Sequence, residues 1–135
     1  MKSARKISHP GRADKSVRRI LIVKPSSLGD IFHVFPAVAR LHELFPEAKF
    51  DWLVNPTFAD AVDYAPIPVD RKIIFRRREL AQISTMLPAV LDLIRQLRQE
   101  SYDYIFDFQG LFRSALFARI ARGRVVGFAR PREPL

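Results

Sequence analysis

The chain has 135 residues, a formal net charge of +9, 48% hydrophobic residues and no cysteine. That length suits one domain whose core buries roughly two-thirds of the unfolded surface, and the missing cysteine excludes disulfide frameworks and thiolate metal sites. The three histidines, His9, His33 and His42, have no metal-ligand spacing, and no apolar run approaches the ~18 residues of a membrane span.

Residues 1–18 are polar, poor in acids and broken by Pro10 and Gly11, a composition that favours a disordered extension. They lack the apolar segment of a secretory signal, so a cytoplasmic location is the default. Residues 1–19 carry seven basic side chains against one acid, Asp14, a net +6 of the chain's +9. Such a tail solubilises, and anionic surfaces attract it. No DNA- or RNA-reading motif accompanies it, and no nucleic-acid partner is expected.

The folded part begins with Arg19–Lys24, an apolar, β-branched run that reads as the first strand. It enters a turn of small residues, Pro25, Ser26, Ser27 and Gly29, closed by Asp30. Ala37, Val38, Leu41, Leu44 and Phe45 recur at helical spacing. A proline fits a first turn, so this helix is expected to start near Phe35 or Pro36. Residues 25–34 are then a long loop or an irregular first turn, and Pro46 is the stop. Residues 49–54 read as the second strand. Pro56 opens a short helix through Val62, and Pro66 and Pro68 mark a loop. Residues 72–75 read as a short third strand leading into Arg76, Arg77 and Arg78. Thr85 fits a cap, with Pro88 inside the first turn of an amphipathic helix that ends near Gln99. The apolar stripe of that helix is Leu87, Val90, Leu91, Ile94 and Leu97. Residues 102–107 read as the fourth strand and Gln109-Gly110 as a turn. A helix over 111–121 is stopped by Gly123, and 124–128 form the fifth strand.

Strands alternating with helices predict a parallel α/β sheet, and such sheets take ligands beyond the carboxyl ends of their strands. Asp30, Arg76 and Gln109 each come just after a strand, which brings all three to that edge. Two roles are open for Asp30: a positioned general base, or an acid satisfying free N–H groups in a first helical turn. Ser26, Ser27 and Gly29 form a small, hydrogen-bonding loop open to close approach by a ligand, or serve the turn alone. The loop is not the Gly-x-Gly-x-x-Gly fingerprint, so dinucleotide binding is not supported. Arg76 and Arg77 either face solvent or grip carboxylate and phosphate in two-point geometry. His33 either packs or meets a substrate. Asp107 reads as a support for the loop that follows it. Phe32, Phe35, Phe108, Phe112 and Phe117 read mostly as core.

From residue 19 onward the chain resembles the lipopolysaccharide heptosyltransferases, family 9 of the glycosyltransferases. The resemblance is carried by Ile-Val-Lys-Pro-Ser-Ser-Leu-Gly-Asp30, with His33 and Pro36-Ala37 behind it, and by Phe50-Asp51-Trp52-Leu53-Val54. It continues in the basic run after the third strand, in Asp107-Phe-Gln-Gly-Leu111 with Arg113-Ser114, and in Arg132-Glu-Pro-Leu135. It implies a Rossmann-like parallel sheet forming the N-terminal half of a GT-B fold. Residues 19–135 would be the acceptor-side domain, and the C-terminal donor domain is not represented. The implied reaction is inverting and uses neither metal nor cofactor. It moves heptose from ADP-heptose to Kdo of the lipopolysaccharide inner core. Asp30 matches the base. Ser26, Ser27, Gly29, Arg76, Arg77, Gln109, Gly110, Arg113 and Arg132 match positions around the acceptor.

The implied partners are Kdo-lipid A, ADP-heptose once the donor domain is supplied, and peripherally the inner membrane face. The chain stops soon after its last strand with no helix to cover it, as expected of part of a larger protein, and alone it is expected to be inactive. A non-catalytic Rossmann-like module for anionic glycolipid and a basic nucleic-acid-binding domain are the rival readings.

Overall fold

The computed structural model describes residues 12–74, 83–110 and 120–127. Its elements are β1 (Arg19–Val23), α1 (Leu28–His33), α2 (Phe35–Leu44) and β2 (Lys49–Val54). A 3₁₀ turn (Pro56–Phe58) follows, then α3 (Ala59–Val62), β3 (Val69–Ile74), α4 (Ile83–Arg98), β4 (Ser101–Asp107) and β5 (Arg122–Gly127). The strands form one five-stranded sheet in the order β3-β2-β1-β4-β5, and every pairing is parallel. This is the predicted Rossmann-like α/β architecture. A sheet covered on both faces needs apolar side chains on both sides of its inner strands, and β1 supplies them without a break from Ile20 to Val23. Ile20 and Ile22 join Phe50, Trp52, Val54 and Phe106 against α1, α2 and α3. Leu21 and Val23 join Leu53, Ile73 and Ile105 against Leu93 and Leu97 of α4.

One polar residue interrupts this core. Asp51 sits inside β2 with its side chain fully buried, and three side chains answer it. Arg19 of β1 donates from Nη1 to Oδ1 at 2.8 Å. Arg71 of β3 donates from Nε to Oδ2 at 3.2 Å and approaches the same oxygen with Nη2 at 3.1 Å. The hydroxyl of Tyr102 in β4 donates to Oδ2 at 2.6 Å. Arg19 also reaches Asp70 at 2.9 Å and Glu100 at 3.4 Å, while Arg71 bonds the carbonyl of Gln96 and the Gln99 carboxamide. Burial, and then the carboxylate beside it, push the Tyr102 hydroxyl pKa well up. For Arg19 and Arg71 burial opposes the charged form, but their acidic and hydroxyl partners outweigh it and the net shift is upward.

The structure corrects several expected boundaries. The segment 25–34 is not all loop, because Leu28–His33 is helical. Ser27 and Asp30 close its first turn, and Val34 separates it from α2. β3 starts at Val69 rather than residue 72, since Asp70 and Arg71 find partners in the Asp51 cluster. α4 starts before Thr85, which puts Pro88 in the helix interior rather than in its first turn. Burial of Leu93 and Leu97 outweighs the hydrogen bond that Pro88 cannot make, whereas Leu87 and Leu91, assigned to the buried stripe, are exposed. The helix expected over 111–121 lies outside the described residues except at its end, and Gly123, expected to stop it, lies inside β5. A Cβ there would meet the Tyr102 carbonyl oxygen at 2.6 Å, so the close approach of β5 to β4 requires glycine. The packed region also reaches back before residue 19: Val17 is buried and the Asp14 N–H donates to the Leu44 carbonyl at 2.7 Å.

Removing the Asp51 carboxylate leaves two arginines and a tyrosine facing an uncompensated hole. Asp51→Ala is therefore expected to cost about 3–5 kcal/mol, the usual result of breaking a buried ion pair. Urea denaturation measures this, and a loss under about 1 kcal/mol would place the cluster with exposed salt bridges instead.

Candidate active site

The strand order changes direction at β1. The chain moves outward from β1 through β2 to β3, then crosses to β4 on the other side. In such sheets the crevice beyond the carboxyl ends of the two strands flanking the reversal is the binding position. Here those strands are β1 and β4, paired from Ile20↔Tyr104 to Val23↔Asp107. Lys24–Ser27 leaves β1 at that edge, and Phe108–Gly110 leaves β4 beside it.

Backbone hydrogen bonds hold these loops. The Phe108 N–H donates to the Val23 carbonyl at 3.0 Å and the Asn55 N–H to the Pro25 carbonyl at 3.0 Å. Trp52 Nε1–H donates to the Lys24 carbonyl at 3.1 Å from below. The buried Asp107 accepts the N–H groups of Gln109 at 2.9 Å and Gly110 at 3.1 Å, which makes it the loop support expected from sequence. Gly110 has φ +69, a left-handed conformation that favours glycine.

Asp30 lies in the first turn of α1 and is exposed. The Ser27 hydroxyl donates to its Oδ2 at 2.9 Å, and the Ser27 N–H faces the same oxygen at 3.5 Å. The acid thus does close a helix turn, while among the described residues its Oδ1 has no hydrogen bond. The Ser27 hydroxyl first, then the Ser27 N–H and the Lys24 charge, hold the Asp30 carboxyl below the usual carboxylate range. An ionised carboxylate on the open rim of the crevice is able to take a proton from a hydroxyl. Ser26 is half-buried and Gly29 exposed on the same loop. A Cβ at Gly29 would meet nothing within 4 Å.

Asp30, Ser26, Ser27, Gly29, Gln109 and Gly110 therefore share the carboxyl edge of β1 and β4. Arg76, Arg77, Arg113 and Arg132 lie outside the described residues, as do Phe112 and Phe117. His33 is exposed in the last turn of α1, and so is Phe32. Phe32 was read as core, but its ring instead starts an edge-to-face series, meeting Phe35 at 5.1 Å, which meets the buried Trp52 at 6.0 Å. Sequence reasoning passed over Lys24. It is buried at the base of the loop, and its one visible signal was a lysine directly between the first strand and a proline. Among the described residues no group of three or more His, Cys, Asp or Glu is arranged to hold a metal, and no helix is long and apolar enough to cross a membrane.

Comparison with known proteins agrees with this geometry. Residues 90–134, which include β4 and the Gln109 turn, match the model of glycosyltransferase family 9 (heptosyltransferase). The chain is 38% identical to lipopolysaccharide heptosyltransferase 1 of Escherichia coli K12 over 122 residues, covering 87% of this chain and 38% of that protein. Over most of its length the chain is therefore similar to the first third of family 9 heptosyltransferases. Lipopolysaccharide heptosyltransferase 1 of Pseudomonas aeruginosa is 35% identical over 126 residues, of which this chain spans 34%. The structure of E. coli heptosyltransferase WaaC with ADP-2-deoxy-2-fluoro heptose superimposes with a TM-score of 0.69 at 34% identity, over 81% of this chain and 36% of that one. A family 9 glycosyltransferase from Veillonella parvula has the same fold, with a TM-score of 0.65 at 15% identity over 82% of this chain and 35% of that one. The chain thus spans little more than a third of the family 9 proteins it matches.

Because Ser27 is the largest influence on Asp30, Ser27→Ala removes a hydrogen bond to the charged form and should raise the carboxyl pKa toward its ordinary value. If Asp30 is the base, the acidic limb of kcat/KM should move up in pH in that variant. NMR titration of the Asp30 carboxyl carbon checks the shift directly, and an unmoved titration would mean that Ser27 does not hold the carboxylate.

Proposed function

We propose that this chain forms the acceptor-side wall of a heptosyltransferase that moves heptose from ADP-heptose to a Kdo hydroxyl of the lipopolysaccharide inner core. The observation that carries the reading is an ionised, rim-exposed carboxylate, Asp30, beside the β1–β4 crevice of a chain similar to family 9 heptosyltransferases. Asp30 removes the proton from the attacking Kdo hydroxyl. The hydroxyl oxygen bonds to the anomeric carbon of heptose as the bond from that carbon to the diphosphate oxygen breaks, and ADP departs with the bonding pair. The configuration inverts, and the proton ends on Asp30.

Ser27 holds the carboxylate in place, and the turn carrying Gln109 and Gly110 lines the acceptor. Arg76 and Arg77, with Arg113 and Arg132, take the acceptor's carboxylate and phosphate groups. Donor binding belongs to a second domain. The natural setting of this reading is the cytoplasm, with the basic residues 1–18 drawn to the anionic inner membrane face.

In a complete enzyme carrying this sequence, Asp30→Ala should lower turnover by roughly 10²–10⁴, the usual contribution of a positioned general base, with little change in acceptor affinity. Steady-state kinetics with Kdo-lipid A test this, and near-normal turnover would leave Asp30 as a helix-turn residue only. The division of labour has its own test. Orienting two substrates against each other is worth about 7–11 kcal/mol of barrier, and one wall cannot supply it. Residues 1–135 alone should therefore show no detectable heptose transfer and no tight ADP-heptose binding by calorimetry. Micromolar donor affinity in this chain would overturn the two-domain assignment.

A further inference from the structure

Helix α4 is longer than the sheet it covers. The Ile74 N–H, at the last residue of β3, donates to Gln96 Oε1 at 3.2 Å, and Leu93 and Leu97 pack against the strands. From Gln96 back to Leu87 the helix runs on for ~13 Å, at about 1.5 Å per residue. The chain leaves β3 at the carboxyl edge of the sheet and enters β4 at the amino edge. The overhang of α4 therefore stands at the carboxyl edge, the same edge that carries Asp30. Its outside is apolar: Met86, Leu87 and Leu91 are 45%, 63% and 57% exposed. Leu87 and Leu91 lie one turn apart and share their stripe of the helix with Arg95 and Arg98, both exposed in the last turn. The single acid of α4, Asp92, accepts from Arg95 at 2.9 Å and from Gln96 at 2.7 Å.

We propose that the outer stripe of α4 docks on an anionic bilayer, with Leu87 and Leu91 entering the headgroup boundary, Met86 beside them, and Arg95 and Arg98 meeting lipid phosphates. A contiguous exposed apolar patch marks an interaction surface. Leucines continued by arginines along one face are the chemistry of an interfacial helix, because an arginine lays its stem on apolar surface and keeps its charge at the headgroups. Among the described residues no helix is long and apolar enough to cross a membrane, so the contact is with the surface. Charge selects lipid over a second copy of the chain. Two copies meeting stripe to stripe set arginine against arginine when parallel and arginine against leucine when antiparallel, and each chain carries +9. An anionic bilayer answers the arginines and the leucines together, and the basic residues 1–19 add long-range attraction. The docked overhang brings the carboxyl edge, and Asp30 with it, to the surface in which a lipid-anchored acceptor is held. That consequence rests on the function proposed above, whereas the docking does not.

The test uses the whole chain with phosphatidylcholine vesicles that do or do not contain phosphatidylglycerol. The chain has no cysteine, so one reporter can be placed at will. An environment-sensitive dye on Leu87→Cys should shift its emission to the blue when anionic vesicles are added. The same dye on Glu43→Cys, exposed on α2 across the sheet, should not. The double variant Leu87→Gln, Leu91→Gln changes only exposed positions and should fold as the wild type does, yet cosediment with anionic vesicles about tenfold more weakly. Equal cosedimentation of the double variant and the wild type would mean that the basic tail alone binds lipid, and would overturn the proposal. So would emission from Leu87→Cys that vesicles leave unchanged. Emission already blue without lipid, in a species that sediments as a dimer, would assign the face to a second copy and overturn it as well. In a complete enzyme the double variant should lose transfer to an acceptor embedded in vesicles and keep transfer to a deacylated, water-soluble one; equal loss on both would count against docking. A wild-type enzyme that transfers to neither would overturn the function proposed above, while the dye and cosedimentation results would still decide the docking.

Discussion

The Asp51 carboxylate is buried within β2, where water cannot solvate it, so the protein must surround it with donors. Those donors come from three other strands: Arg19 of β1, Arg71 of β3 and Tyr102 of β4. An ion pair of this kind adds little net stability over a well-packed apolar core, but half of one is very costly. The cluster therefore penalises any arrangement in which β1, β2, β3 and β4 are not all in register. A slip of β2 by one residue would turn Asp51 to the opposite face, among Ile20, Ile22 and Phe106, and leave both guanidinium groups behind. The parallel order that creates the β1–β4 crevice depends on this match.

The cluster also gives the sheet two unlike ends. At the amino ends of the strands, side-chain charges are consumed by one another: Arg19 by Asp51, Asp70 and Glu100, Arg71 by Asp51. At the carboxyl ends the loops are fastened mainly through the backbone, by the bonds Phe108 to Val23, Asn55 to Pro25 and Trp52 to Lys24. Side chains there are left for other work. Among the described residues one Asp30 oxygen and the Gln109 carboxamide oxygen have no hydrogen-bond partner. Stability and ligand recognition are thus separated along the strand axis, so a site of small and polar residues need not carry the sheet.

Much of this was legible in the sequence, for identifiable reasons. β1 and β2 are buried on both faces, and β1 reads as a continuous apolar run and β2 as one broken by Asp51. Asp30 and Gln109 could be assigned to one edge because each lies in the connection that leaves the carboxyl end of a strand. The start of β3 was missed because Asp70 and Arg71 look like loop residues until their partners from other strands are known. Gly123 was misread because a glycine after a helical pattern is usually a stop, and its approach to Tyr102 is a tertiary fact. Helix α1 was hidden because its first turn depends on Ser27 and Asp30, a pair that looks the same in a loop.

Trp52 is the only tryptophan of the chain. It is fully buried, holds the Lys24 carbonyl through its indole nitrogen and touches the ring of Phe35, which touches the exposed Phe32. The single indole therefore sits directly beneath the loop that leads to Asp30, shielded from water but joined to the surface through two rings. Tryptophan fluorescence from this protein, excited beyond the tyrosine absorption band, has one source, and that source is a built-in optical gauge of the crevice floor. Its emission should be blue and hard to quench from outside while the loop is seated, and should change when the Lys24–Ser27 segment lifts or closes over a ligand.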